Sequence, residues 1–178
     1  MSDLRVHKTK YINETKRVSF KYDGKNYFGY EGDTLASALL ANGVHLIGRS
    51  FKYHRPRGIM SCGSEEPNAI CQISDKNDLT EPNVRATELE IYDGLEAFSQ
   101  NCWPNVKFDI GGINNLISPL IPAGFYYKTF MWPKSFWKKV YEPLIRMSAG
   151  LGKSPTEPDP DIYDHKYVHY DVLVIGGG

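Results

Sequence analysis

The chain has 178 residues, with 21 Lys and Arg against 21 Asp and Glu, so its formal net charge is zero. That balance argues against recruitment to nucleic acid or to an anionic membrane surface by bulk electrostatics. Twelve Tyr, eight Phe and three Trp give it the means to bury a sizeable core or interface, and they exclude a disordered composition.

Residues 1–16 read as an N-terminal extension. In residues 17–30, RVSFKYDGKNYFGY, the apolar Val18, Phe20 and Tyr22 alternate with polar neighbours. Asp23-Gly24 supplies a tight turn, and Tyr27 and Gly29 lie on the returning strand, so a β-hairpin is predicted. In EGDTLASALLANG, Asp33 is placed to cap a helix, and Leu35, Ala36, Leu39 and Leu40 recur at helical spacing. Gly43 can take the left-handed position after the last turn. Further strands are predicted at residues 44–47, 68–74 (NAICQIS) and 83–91 (NVRATELEI). This order suits a helix laid over a small mixed sheet: an α+β fold of the β-grasp, ferredoxin-like type, assigned to residues 17–95.

The composition then shifts. Residues 96–152 are rich in Trp, Tyr, Phe and Pro and read as an aromatic connecting segment with helices. A short helix is predicted over 114–120, stopped by Pro122. A longer one is predicted over 134–149, with Phe136, Val140, Tyr141 and Leu144 on one side and a kink or break at Pro143. Residues 153–169 carry the acidic, proline-rich SPTEPDPD and form an extended linker, which places a domain boundary there. Residues 170–175 are an apolar, β-branched run that reads as a buried parallel strand leading into Gly176, Gly177 and Gly178.

No apolar run approaches the ~18 residues needed to cross a bilayer, and the start, MSDLRVHKTK, has no apolar signal-peptide core. Cys62, Cys71 and Cys102 are odd in number and irregular in spacing, which suits free thiols in a reducing compartment. A cytoplasmic location is expected.

The segment RSFKYHRPRGIMSCGSEEPNAICQI sits where a β-grasp ferredoxin places its cluster loop. A plant-type two-iron cluster needs four thiolates, three of them spaced C-x4-C-x2-C. Counting from Cys62, the second ligand position holds Pro67 and the third holds Ile70, with Cys71 one place late. Cys102 is too far downstream to repair the loop. No metal ligand set is therefore assigned, and the expected fold is a ferredoxin fold without a cluster.

The same stretch is basic, with Arg49, Lys52, His54, Arg55 and Arg57. It reads either as a phosphate-binding patch or as a solvated loop in which Glu65 and Glu66 serve as counter-charges; the second is preferred. Cys62 with His54 as a nucleophile pair lacks a third, orienting residue. His165 and His169 are four apart, but they precede a strand and read as solvent-exposed linker residues.

The glycines after the last strand give G-x-G, the opening of a dinucleotide-binding turn. The rest of that fingerprint needs a third glycine, a helix whose N-terminus meets the pyrophosphate, and an acidic residue about 20 positions on. The alternative is a glycine-rich tail. Gly176 and Gly178 are the only cofactor-binding candidates, and no catalytic residue is assigned.

Three stretches, FKYHRPRGIMSCGSEEPNA, PAGFYYKTFMWP and FWKKVYEPLIRMSAGLG, followed by YDVLVIGGG, together resemble the N-terminal part of the alpha subunits of heterotetrameric sarcosine oxidases. The resemblance runs from about Val18 to Gly178. It implies a much longer subunit that opens with a ferredoxin-like domain, continues into an NAD-binding region and ends in a folate-binding one. It implies beta, gamma and delta subunits as partners, with FAD and FMN in the holoenzyme. The implied reaction oxidises sarcosine to glycine with oxygen, forming hydrogen peroxide and methylene-tetrahydrofolate.

Carried over position by position, only Gly176 and Gly178 match a functional motif, the first two glycines of the NAD turn. The chain is thus expected to be a fragment that stops inside that turn, binds no cofactor and is inactive alone. Its role would be structural, with the aromatic segment 125–141 as the subunit contact. The competing reading is a ferredoxin-like 2Fe-2S electron-transfer subunit of an amino-acid or opine dehydrogenase.

Overall fold

The computed structural model describes residues 4–5, 10–74, 80–116, 118–120, 132–148, 150, 152, 154–156, 158 and 162–175. The N-terminal half is one mixed sheet with a helix on it. Strands β1 (Asn13–Tyr22) and β2 (Lys25–Glu31) form the predicted antiparallel hairpin, with Phe20 opposite Tyr27 and Tyr22 opposite Lys25. Asp23 and Gly24 both have positive φ, 47° and 72°, as a two-residue hairpin turn of matching twist requires. Strand β1 starts four residues earlier than position 17, inside the stretch read as an extension.

Helix α1 (Leu35–Ala41) follows, with Leu35, Ala36, Ala38, Leu39 and Ala41 buried. Leu40, expected on the buried face, is 38% exposed. The cap is also one residue off. Thr34 is the N-cap and its hydroxyl accepts from Ser37 N. Asp33, fully buried, instead accepts from Tyr30 N (2.9 Å) and the Ser37 hydroxyl (2.7 Å) and pairs with Arg5. Gly43 takes the left-handed position, φ 74°.

No strand forms over 44–47. Those residues lead into a two-residue ladder between β3 (Gly48–Arg49) and β4 (Pro56–Arg57), while Tyr22 Oη donates to the Ile47 carbonyl at 2.9 Å. Strand β5 (Ile70–Ser74) pairs antiparallel with β6 (Thr80–Arg85). The strand expected to run to 91 leaves the sheet at Ala86. Its Ala86 and Leu89 carbonyls instead accept from Ala36 N and Leu35 N, satisfying donors that a helix start leaves without intrahelical partners.

One strand was not predicted. β7 (Leu95–Ser99) lies between β1 and β5, parallel to the first and antiparallel to the second, giving the order β2-β1-β7-β5-β6. The boundary expected at 95 falls on its first residue. Ser99 N donates to Asp23 Oδ1 at 2.8 Å, tying the new strand to the hairpin turn.

Val18, Phe20, Tyr22, Tyr27, Leu35, Ala38, Leu39, Ile47, Cys71, Ile73, Ile91 and Leu95 form one core between α1 and the sheet. Gly29 is required by close approach: a Cβ there would collide with Ile91 Cδ1 and press on Ala38. This parallel-centred mixed sheet crossed by one helix is the expected α+β, β-grasp architecture.

The C-terminal half differs. A 3-10 turn (Ile110–Gly112) runs into α2 (Ile113–Leu116), and another 3-10 turn covers Ser118–Leu120. Pro122 lies outside the described residues. The expected long helix is one continuous helical run of changing pitch, a 3-10 turn (Lys134–Phe136), a π turn (Trp137–Tyr141) and α3 (Glu142–Ser148); Pro143, which has no N–H to give to the preceding turn, follows directly on the π turn. Gly152 N donates to Asn83 Oδ1 at 3.0 Å, bringing the chain back against the sheet.

The run 170–175 is the largest departure. It is not a strand, and Val172, Leu173, Val174 and Ile175 are 66–86% exposed. A strand needs at least one neighbouring strand for its backbone groups, and no described residue pairs with it. Gly176 and Gly178 lie outside the described residues. No described helix is long and apolar enough to cross a membrane.

Candidate functional site

The candidate site lies on two loops beside β5. The first, residues 58–69, is where a cluster would sit. It winds around a single side chain. Glu66 is 1% exposed. Its Oε2 accepts from Met60 N (2.7 Å) and Ser61 N (2.6 Å), and its Oε1 accepts from Asn68 N (2.7 Å) and Ala69 N (3.1 Å). Burial alone would raise this carboxyl, but the N–H groups of Ser61, Asn68, Met60 and Ala69 outweigh it and hold it below the ordinary range. From outside the loop, the Thr87 hydroxyl donates to the Gly63 carbonyl at 2.8 Å.

Glu66 is therefore not a counter-charge to the basic stretch. It faces backbone donors, and no described Lys, Arg or His pairs with it.

The three cysteines are dispersed. Cys62 is exposed, Cys71 is fully buried in β5 within the core, and Cys102 is partly covered, 3.3 Å from the Ser99 hydroxyl. Burial pushes the Cys71 thiol up to about 12 and raises Cys102 as well. Among the described residues no three His, Cys, Asp or Glu side chains converge. Pro67 and Ile70 hold the remaining loop positions of the two-iron pattern. The residues present do not fit a 2Fe-2S cluster.

The second loop carries the basic residues. Arg49 is fixed by carbonyls alone: Nε donates to Val106 O (2.8 Å) and the guanidinium nitrogens to Lys107 O (3.0 Å) and His54 O (3.2 Å). Arg55 donates to Asn115 Oδ1 at 2.9 Å and lies over the Tyr53 ring, as does Lys52. These contacts turn the patch into a brace that grips residues 105–115. Between the two loops lies an open cavity of about 260 Å³, bordered by Arg49, Phe51, Arg57, Asn68, Ile70 and Asn101 among others.

His54 has a partner the sequence did not reveal. Its Nδ1 lies 2.6 Å from Asp109 Oδ2, and Asp109 Oδ1 accepts from Trp103 N (3.0 Å) and Gly111 N (3.2 Å). The imidazole packs so closely on Gly111 that a Cβ there would collide with the ring. The pair could orient a histidine for proton transfer, but the ring is covered and Asp109 is occupied in capping the following 3-10 turn. It acts as a tie between loops, and Cys62 is not part of it. His165 and His169 are both exposed.

Asp109 was in principle legible, since an acid directly before Ile110-Gly111-Gly112 has the position of a cap. Glu66 was not: nothing in SCGSEEPNA distinguishes the buried Glu66 from the exposed Glu65 beside it.

Residues 15–102 match the 2Fe-2S iron-sulfur cluster binding domain family. The chain is 56% identical over all 178 of its residues to the sarcosine oxidase subunit alpha of Rhizobium meliloti (strain 1021), and spans 18% of that protein's length. It is 31% and 32% identical, over 169 residues each, to the sarcosine oxidase alpha subunits of Corynebacterium sp. strains U-96 and P-1, spanning 12% of each. Among solved structures, L-proline dehydrogenase from P. horikoshii aligns with 53% of this chain and 17% of its own at 23% identity and a TM-score of 0.39. The resemblance read over Val18–Gly178 is borne out, and the match to the Rhizobium meliloti protein also takes in the residues before it.

Proposed function

We propose, for a chain similar over its whole length to sarcosine oxidase alpha subunits, that it is the N-terminal portion of such a subunit and serves there as a structural, subunit-contacting module. The observation that carries this reading is the 56% identity across all 178 residues. The complete protein would be a multisubunit, cytoplasmic oxidoreductase with beta, gamma and delta partners. Its net reaction converts sarcosine, oxygen and tetrahydrofolate into glycine, hydrogen peroxide and methylene-tetrahydrofolate. NAD belongs to the longer subunit, where Gly176 and Gly178 would open the binding turn, and FAD and FMN belong to the complex. The chain's own part is to shape and cover; it contributes no catalytic residue and is inactive alone.

Exposed Trp132, Phe136, Trp137 and Leu144 support the contact role, because aromatic and large aliphatic side chains favour interface centres. They fall in or beside the segment 125–141; residues 125–131 lie outside the described residues. The alternative, a 2Fe-2S electron-transfer subunit of an amino-acid or opine dehydrogenase, draws on the family match over 15–102. Pro67 and Ile70 at ligand positions weigh against it.

The test is to tag this chain in its native host, purify what accompanies it, and measure sarcosine-dependent hydrogen peroxide with and without tetrahydrofolate. Peroxide formation that responds to the folate supports the reading. A chain that purifies with no sarcosine-oxidising activity overturns it.

A further inference from the structure

We propose that the loop 60–69 is a built anion site whose permanent occupant is the chain's own Glu66 carboxylate, and that this side chain replaces a cluster as the group around which the loop folds. The inference goes beyond the sarcosine oxidase reading and does not depend on it.

A metal–sulfur cluster in such a loop would be a negatively charged body ringed by backbone N–H groups and ligated by thiolates. Here the ring of donors exists and the thiolates do not. Four N–H groups, from Met60, Ser61, Asn68 and Ala69, converge on two oxygens at 2.6–3.1 Å. They come from both arms of the loop, so a single carboxylate closes it as a clasp. Converging backbone donors of this kind form a concave site for an anion. Charge-assisted bonds of this length are the stronger class of hydrogen bond.

Two further features mark the loop as built around its occupant. Glu66 is almost completely buried without a described cationic partner, so the N–H groups alone compensate its charge. The loop is also held from outside: Thr87 binds the Gly63 carbonyl, and Ala86 N donates to the Ala69 carbonyl at 2.8 Å. The frame is therefore fixed at points other than the carboxylate. If Glu66 is shortened, the frame should leave a donor-lined hollow that accepts a small carboxylate such as formate.

The experiment compares the unmodified chain with Glu66→Ala, Glu66→Gln and the control Glu65→Ala, following thermal unfolding in sodium formate against sodium chloride of equal ionic strength. Glu66→Ala is expected to lower Tm by about 10 °C, given four lost charge-assisted bonds and the usual few degrees per kcal/mol for a domain of this size. Formate should restore a large part of that loss in Glu66→Ala, and leave the unmodified chain and Glu65→Ala unchanged. Glu66→Gln, which keeps the shape but loses the charge, should fall between.

If Glu66→Ala does not fold, amide hydrogen exchange on the unmodified chain decides. The Met60, Ser61, Asn68 and Ala69 amides should be protected well above the exposed Ser64 and Glu65. Reconstitution with ferrous iron and sulfide should give no stoichiometric visible chromophore. The proposal is overturned by a Glu66→Gln variant as stable as the unmodified chain, by formate raising every variant equally, by unprotected loop amides, or by a cluster assembling in the unmodified chain. These readouts are stability, exchange and colour, so they can fail while sarcosine oxidation is still found, and the reverse.

Discussion

Residues 13–99 and residues 132–175 are both rich in large apolar side chains, yet among the described residues only the first stretch buries the large ones fully. Phe20, Leu35, Leu39 and Leu95 are at most 2% exposed, whereas Trp132, Leu144, Leu173 and Ile175 are between 46% and 86% exposed. Hydrophobic content is thus not what separates the two regions. In the first, strands of alternating pattern find edges to pair with, and one helix covers the resulting face. In the second, short helical turns and an extended run present apolar groups with no described element laid over them. Burial follows from backbone pairing that brings faces together, and the second region has the side chains without the pairing.

Cavity formation gives the largest expected contrast. Leu39→Ala removes a fully buried side chain from the middle of α1 and should cost about 2–5 kcal/mol. Leu144→Ala, at a half-exposed position, should change stability by less than about 0.5 kcal/mol. Urea unfolding of both variants checks this, and equal losses would mean that residues 132–148 belong to the same cooperative core.

Acid should act on the first region through Glu66. Its carboxyl lies below the ordinary range in the folded chain, so it stabilises the fold above the unfolded-state pKa of about 4.3. That contribution fades as pH falls through the lower folded-state value. Unfolding free energy measured from pH 7 downward should fall on the acid side more steeply in the unmodified chain than in Glu66→Gln. Parallel curves would deny Glu66 its role.

A local effect closes the series. Thr34→Ala deletes the hydroxyl that accepts from Ser37 N at 3.2 Å and should cost about 1 kcal/mol. The same substitution at Asp33, had it been the cap, would have cost a similar amount. Since Asp33 binds Tyr30 N, Ser37 and Arg5, Asp33→Ala should cost more than Thr34→Ala in the same unfolding assay.

The sequence by itself determined the hairpin, the helix after it and the α+β class, because those depend on short-range periods and turn residues. Val18, Phe20 and Tyr22 alternate, Asp23-Gly24 turns, and Leu35, Ala36, Leu39 and Leu40 recur at helical spacing, although Leu40 is exposed; each signal is complete within about ten residues. It also determined that Pro67 and Ile70 stand where a two-iron cluster needs cysteines.

Only the tertiary structure decided the rest. Strand β7 is five residues long and is a strand because β1 and β5 offer it both edges; residues 170–175 carry a stronger apolar pattern and form none, because a strand is a property of two or more segments. The same holds for the site. His54 meets Asp109 across 55 positions, and Thr87 reaches Gly63 across 24. Glu66 and Glu65 are identical in type and adjacent in sequence, and only the curvature of the loop turns one carboxylate inward onto four N–H groups and leaves the other in water.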